Sequence, residues 1–237
     1  MIALAASLPL VPLVAALVGL VLPLRARRRA AFLGVGATGY VLLAAVVLAI
    51  GLPGRVDASV TVVSFLDIAV TAGVRVDSIA SQVAVAVGVV ACAVQVYSVA
   101  YLRDDERFVP YAAQVSLFTA AMLNVVVASD LVQLLIGWEV MGICSYLLIG
   151  HDRRLPEAPG AAVKAFLVTR VGDVGFWLGI LLLGLAADSF QIADVLAIVA
   201  DGRISGDVLT AAGLLLLAGV AGKSAQFPLH TWLPDAM

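Results

Sequence analysis

The chain has 237 residues, 63% of them hydrophobic and 13% charged, with a formal net charge of −2; its mean hydropathy is +1.11. Soluble domains carry roughly 25% charged residues, so this composition excludes a water-soluble globular fold and points to a polytopic membrane protein. So small a net charge leaves no electrostatic footprint for nucleic acid.

Seven apolar stretches of membrane-crossing length follow one another, at 2–24, 31–52, 79–102, 109–129, 131–150, 161–187 and 208–232. About 20 helical residues at ~1.5 Å each cross the hydrocarbon core of a bilayer. The first stretch reads as a retained helix rather than a signal peptide, because Arg25, Arg27, Arg28 and Arg29 follow the apolar run instead of preceding it. The basic residues alternate between loops. Arg25, Arg27, Arg28, Arg29, Arg103, Arg107, Arg153 and Arg154 fall on one side, and Arg55, Arg75 and Arg203 on the other. Eight against three places the N-terminus outside by the positive-inside rule; the expected membrane is a bacterial-type plasma membrane.

The second span contains Gly34-x-Gly36-x-x-Gly39, which matches a dinucleotide fingerprint in letters alone. With no strand before it and no helix N-terminus for a pyrophosphate, it reads as a small-residue packing surface instead. Between the second and third spans, Val60–Phe65 and Ile68-Ala69-Val70 are β-branched and roughly alternating. They predict a small external β-hairpin that braces neighbouring helices, with Ala72-Gly73 able to turn. Gly175 and Gly179 in the sixth span have packing spacing. Cys92 and Cys144 each lie in an apolar segment and read as small fillers; neither they nor His151 and His230 have metal-ligand spacing.

Charged residues inside spans are the chemistry-bearing feature. Glu139 stands near the centre of the fifth span with no other charge in it. A charge at that depth costs several kcal/mol unless it faces a protein interior, a partner or water. Its bland reading is a protonated, inert acid, but Gln or Leu would fill that place at lower cost. Lys223 lies in the seventh span among Gly219, Gly222 and Ser224, with Pro228 five residues on. Proline disturbs the helix before it, and a broken helix beside a buried lysine exposes polar backbone to water or an ion. By helical rise from the outer ends, Glu139 lies ~12 Å deep and Lys223 ~22 Å deep, an offset that does not by itself imply contact. Arg170 and Asp173 are three apart on the sixth span and share a face. They read equally as a self-neutralising ion pair or as part of a proton path. Lys164 is nearer the span's end, where it can snorkel or begin a polar row; Asn124 and Gln133 are weaker polar candidates.

Three strings carry a resemblance. They are Gly137-Trp138-Glu139-x-Met141-Gly142-x-Cys144-Ser145-Tyr146-Leu147-Leu148-Ile149-Gly150, then Lys164-Ala165-Phe166 with Thr169-Arg170-Val171-Gly172-Asp173, and the run from Lys223 through Pro228, His230, Thr231 and Trp232 to Met237. In this order they resemble the NuoL-type (chain 5) antiporter-like membrane subunit of proton-pumping NADH:quinone oxidoreductase, respiratory complex I. The likeness runs from about Val76 to the last residue, and the first two spans share only its character. It implies an all-α polytopic fold of about seven transmembrane helices with a small external β-hairpin, part of an antiporter-like inverted repeat. Residues 1–78 would form a helix pair with the hairpin loop, and 79–237 the start of the translocating module.

The same resemblance implies that Glu139 and Lys223 are the central pair of a proton route. Arg170 and Asp173 match its sixth-helix motif, and His230 the histidine after the seventh-helix proline. It implies no cofactor or metal in this chain; FMN, iron–sulfur clusters and quinone belong to partner subunits, and the partners are other membrane subunits of complex I and the lipid bilayer. The third string continues in the family into further helices, so the sequence is expected to be a fragment or a truncated product without a complete proton path. Two alternatives stay open: the large subunit of a multisubunit cation/proton antiporter, and a truncated structural module that moves nothing. A membrane enzyme built on Glu139 and His151 is a weaker fourth, for lack of a nucleophile or metal set.

Overall fold

The computed structural model describes residues 1–51, 54–65 and 68–237. In chain order the elements are α1 (Ile2–Val21), α2 (Arg27–Gly51), β1 (Val56–Phe65), β2 (Ile68–Val76), α3 (Ser78–Tyr101), α4 (Phe108–Val127), α5 (Leu131–Ile149), α6 (Ala158–Ala186), α7 (Ile192–Ala200), α8 (Gly206–Lys223) and α9 (Leu233–Ala236). Among the described residues, 7 helices are long and apolar enough to cross a membrane: α1 to α6 and α8. They correspond one for one to the seven expected spans. The expected end of the second span, at residue 52, lies outside the described residues.

The chain packs as two compact units, Met1–Ala58 with Gly73–Ala128, and Ser59–Ala72 with Ser129–Met237. In the first unit α1 lies against α4 and α2 against α3. Leu8, Val41, Leu48, Val76, Leu123 and Val127 form its fully buried centre. Glycines set the close approaches: a Cβ at Gly88 would stand 2.9 Å from the Leu42 Cα. Gly34 leaves room for the buried Gln95 side chain, whose amide nitrogen donates to the Ala112 carbonyl (3.0 Å) and the Ser116 hydroxyl (3.1 Å). Gly36 and Gly39 have no neighbour within 4 Å at that position. The packing expectation therefore holds for the first glycine of the fingerprint and fails for the other two, which face away from the bundle. α2 starts four residues before the expected Ala31. Arg27 anchors that extra turn, donating to the Val99 (3.0 Å) and Asp105 (3.4 Å) carbonyls, with its guanidinium 4.0 Å over the Phe108 ring.

β1 and β2 form the expected hairpin. Ala72 and Gly73 are not its turn; they lie inside β2, which runs on to Val76. A side-chain carboxylate holds the strand there: Thr71 gives its amide and its hydroxyl to Asp130 Oδ2, each at 3.0 Å. Asp130 is fully buried and caps α5, accepting the Val132 amide at 2.8 Å with its other oxygen. Four donor and dipole terms thus satisfy one buried carboxylate at a helix N-terminus.

In the second unit α6 packs along α8 and against α5. Gly172, Gly175 and Gly179 line that seam: Cβ atoms there would come within 2.8 Å of the Ala218 oxygen, 2.9 Å of the Leu215 oxygen and 2.9 Å of Leu216 Cγ. The packing expected of Gly175 and Gly179 is what α8 uses. The seventh span differs from expectation at its end. α8 stops at Lys223 instead of running to Trp232. Ala225 adopts a left-handed φ of 50°, the Gln226 amide bonds to the Ala221 carbonyl (2.8 Å) and the Ala225 amide to the Gly222 carbonyl (3.3 Å). That is a Schellman cap, with alanine where glycine is usual. α7, a nine-residue helix, was not expected; it buries Val195 against Ala187 and Ile204.

Candidate functional site

Three helices bring four charged side chains together. α5 supplies Glu139, α6 supplies Arg170 and Asp173, and α8 supplies Lys223 as its last residue. Arg170 Nη1 pairs with Glu139 Oε2 and lies 3.4 Å from Asp173 Oδ2. Lys223 Nζ lies 3.9 Å from that same aspartate oxygen and donates to the Trp138 carbonyl at 3.3 Å. The Asp173 side chain is 3% exposed and the other three between 20% and 24%. Two acids and two bases sum to zero formal charge, which is how such groups persist in an apolar surround.

Local structure explains the convergence. Arg170 and Asp173 are one turn apart, so one face of α6 carries both. The glycine seam lets α8 approach α6 closely enough for the Lys223 stem to reach that face. Gly142 on α5 opens the space between them: a Cβ there would stand 2.8 Å from Arg170 Nη2 and 3.1 Å from Lys223 Nζ. Two cationic heads therefore occupy one notch, and the carboxylates opposite offset their repulsion. Lys223 also ends α8, where the carbonyl end of the helix favours a cation.

Two tryptophans complete the cluster. Trp138 Nε1 donates to Asp173 Oδ1 at 2.6 Å, and Trp177 Nε1 donates to Glu139 Oε1 at 3.0 Å. Trp138 stacks on Phe176 with centroids 4.3 Å apart, and Lys223 Nζ is 5.1 Å from the Trp138 ring centre. In the sequence Trp138 and Gly142 stand only as letters of the first string, and Trp177 carries no signal, although each indole is one residue or one turn from an acid. Arg170 and Asp173 pair with each other and also reach outward, Arg170 to Glu139 and Asp173 to Lys223.

Among the described residues no hydrogen bond or ion pair joins Glu139 directly to Lys223; Arg170 and Asp173 stand between them. Lys164 and His230 lie apart from the four. Lys164 Nζ pairs with Asp235 Oδ2 at 2.6 Å, near the start of α6. His230 is exposed and stacks on Phe227 at 5.7 Å. Beside them Trp232 donates to the Gly222 carbonyl at 3.1 Å, folding the segment after α8 back onto its last turn.

Residues 62–112 match the family model described as the chain 5 N-terminus of NADH-ubiquinone oxidoreductase (complex I). Residues 128–237 match that of the NADH:quinone oxidoreductase/Mrp antiporter transmembrane region. The chain is 45% identical over 169 residues to the NAD(P)H-quinone oxidoreductase subunit 5 of the Paulinella chromatophora organellar chromatophore, covering 70% of this chain and 25% of that one. It is 40% identical over 175 residues to the chloroplastic subunit 5 of Carpenteria californica, covering 72% and 24%. The chain thus spans about a quarter of the length of the curated relatives it matches.

Among solved structures, the Mrp complex from Dietzia sp. superposes with a TM-score of 0.83 at 26% identity, over 99% of this chain and 25% of that one. The membrane-bound sulfane sulfur reductase, an archaeal respiratory membrane complex, superposes at 0.79 with 19% identity, over 99% and 47%, and so shares the fold. These superpositions take in α1 and α2, which the sequence strings left with a likeness of character only. Two adjoining family models in family order, relatives at 40–45% identity and a shared fold over the whole length agree: the chain belongs to the antiporter-like membrane subunits of NADH:quinone oxidoreductases and Mrp antiporters, on the chain 5 (NuoL-type) branch.

Proposed function

We propose that this chain is the N-terminal portion of a proton-translocating subunit of an NADH:quinone oxidoreductase. In it Glu139 and Lys223, with Asp173 between them, relay protons, and Arg170 holds the charge balance of the group, while redox chemistry proceeds in partner subunits. The observation that carries this is the four-membered charged cluster spread over three spans. Neutral as a whole, it can lose or gain a proton at one member only by changing the electrostatic energy of the other three. Flavin, iron–sulfur clusters and quinone are assigned to partner subunits, and the partners of this chain to the other membrane subunits. Lys164 and His230 are assigned a place toward the membrane surface, with Lys164–Asp235 as a structural pair outside the relay.

A cation/proton antiporter subunit is the second reading, favoured by the superposition on the Mrp complex. Identity of 45% to a quinone oxidoreductase subunit against 26% to the Mrp chain ranks it second. Reconstitution of the full-length parent with its partners in liposomes separates the two. Addition of NADH and a quinone analogue is expected to drive proton movement across the membrane. Proton movement in answer to an imposed sodium gradient, with none on NADH, would establish the antiporter instead.

The relay needs a defined side for each half of its path. We assign an outside N-terminus on the strength of the eight-to-three division of basic residues, and place the chain in a bacterial-type inner membrane. A cysteine introduced at Thr61 is expected to react with an impermeant maleimide on intact cells, and one at Ala26 to be spared until the membrane is opened. The reverse labelling would invert the assignment.

A further inference from the structure

The two tryptophans and the two carboxylates are arranged reciprocally. α5 carries Trp138 beside Glu139, α6 carries Asp173 one turn before Trp177, and each indole N–H bonds the acid of the other helix. Each carboxylate thus has two unlike oxygens. Asp173 Oδ1 and Glu139 Oε1 are taken by an indole; Asp173 Oδ2 and Glu139 Oε2 face Arg170 Nη1. Asp173 Oδ2 is buried, takes no hydrogen bond among the described residues, and lies 3.9 Å from Lys223 Nζ.

An indole N–H is a donor with no lone pair to accept a proton in return. A carboxylate oxygen bound by it can neither receive a proton from that side nor pass one there. We propose that Trp138 is a positioning residue that ties up Asp173 Oδ1 with a donor unable to exchange a proton, leaving Asp173 Oδ2 as the working oxygen; Glu139 has no such open oxygen, since Trp177 holds one and Arg170 the other. This rests on the proton-transfer reading of the site.

The step assigned to the open oxygen balances without a co-reactant. The Lys223 ammonium gives one proton to Asp173 Oδ2; an N–H bond breaks, an O–H bond forms, and a neutral amine and a neutral acid result. The reverse transfer restores both charges. Trp138 is suited to hold this geometry because it touches both partners: its indole N–H bonds the acid, and its carbonyl accepts from the lysine at 3.3 Å. Stacking on Phe176, with planes 12° apart, fixes the ring that aims the N–H.

The experiment replaces Trp138 in the full-length parent complex by 3-benzothienylalanine, which keeps ring shape and stacking but has sulfur in place of N–H. 5-Fluorotryptophan, which keeps the N–H, is the control. Assembled complex is measured on native gels, and proton uptake is expressed per assembled complex. The sulfur analogue is expected to slow uptake about tenfold, the scale of one lost hydrogen bond to a charged group. The solvent deuterium isotope effect on uptake is expected to rise, and the fluoro analogue to keep the parent rate. Unchanged uptake per complex with the sulfur analogue, whether or not assembly suffers, would overturn the proposal, provided Glu139→Gln in the same system loses uptake. Full uptake in Glu139→Gln would instead overturn the proton-transfer reading itself.

Discussion

Glu139→Gln in the full-length parent, assembled with its partners, is expected to lower quinone-coupled turnover and proton uptake together, to about a tenth or less. Lys223→Ala is expected to do the same. Glutamine keeps an acceptor for the Trp177 N–H but removes the charge that Arg170 pairs with. Two unit charges about 4 Å apart interact by roughly 4 kcal/mol at the effective dielectric typical of protein sites. Asp173 and Lys223 are 3.9 Å apart and Arg170 is closer still, so deleting one charge shifts the balance of the remaining three by that order. Moving a proton against 100 mV needs about 2.3 kcal/mol, and ~1.4 kcal/mol is already a factor of ten in occupancy. The coupling inside the cluster therefore exceeds the work it must transmit, and losing a member leaves too little. NADH oxidation with an artificial acceptor, chemistry assigned to other subunits, counts the assembled complexes. Full coupled uptake in Glu139→Gln would remove the acid from the route.

The residues of this cluster stand out in the sequence because each is a charge inside an apolar run, and cost makes charges in membranes visible. The seven spans stand out for a related reason: hydropathy over about 20 residues is a one-dimensional property that packing does not change. Their meeting place did not. Depth counted along 208–232 set Lys223 some turns away from Glu139, yet its long stem reaches the Trp138 carbonyl one residue from Glu139. The end of α8 was hidden because Ala225 takes the left-handed cap position, where a glycine would have announced it. Pro228 pointed to a break but not to its place. The indoles were hidden differently. A tryptophan in an apolar run reads as filler until the opposite helix is known to present a carboxylate, and only tertiary structure holds that information. α7 escaped notice because nine residues cannot cross a bilayer and therefore leave no hydropathy signal.

Charge balance makes the last expectation. Arg170→Met is expected to lower the amount of assembled complex severely, because it strands Glu139 and Asp173 with only Lys223 to offset two acids. Leaving a buried charge without its partner costs on the order of 3–5 kcal/mol, whereas removing both partners is often neutral. Asp173→Asn is expected to be damaging in the same way: Trp138 loses its charged acceptor and two cations remain against Glu139 alone. The double variant Arg170→Met with Asp173→Asn restores neutrality, leaving Glu139 and Lys223 as the remaining acid and base. It is expected to assemble nearer to the parent level than either single variant, with uptake still depressed because the bridge between Glu139 and Lys223 is gone. Native-gel quantification of all three beside proton uptake per complex tests this. Strictly additive losses of assembly would show that the two residues act independently, and the neutral cluster would then not be the unit that folds. Normal assembly with uptake abolished in Asp173→Asn alone would assign the aspartate to proton carriage without a structural share.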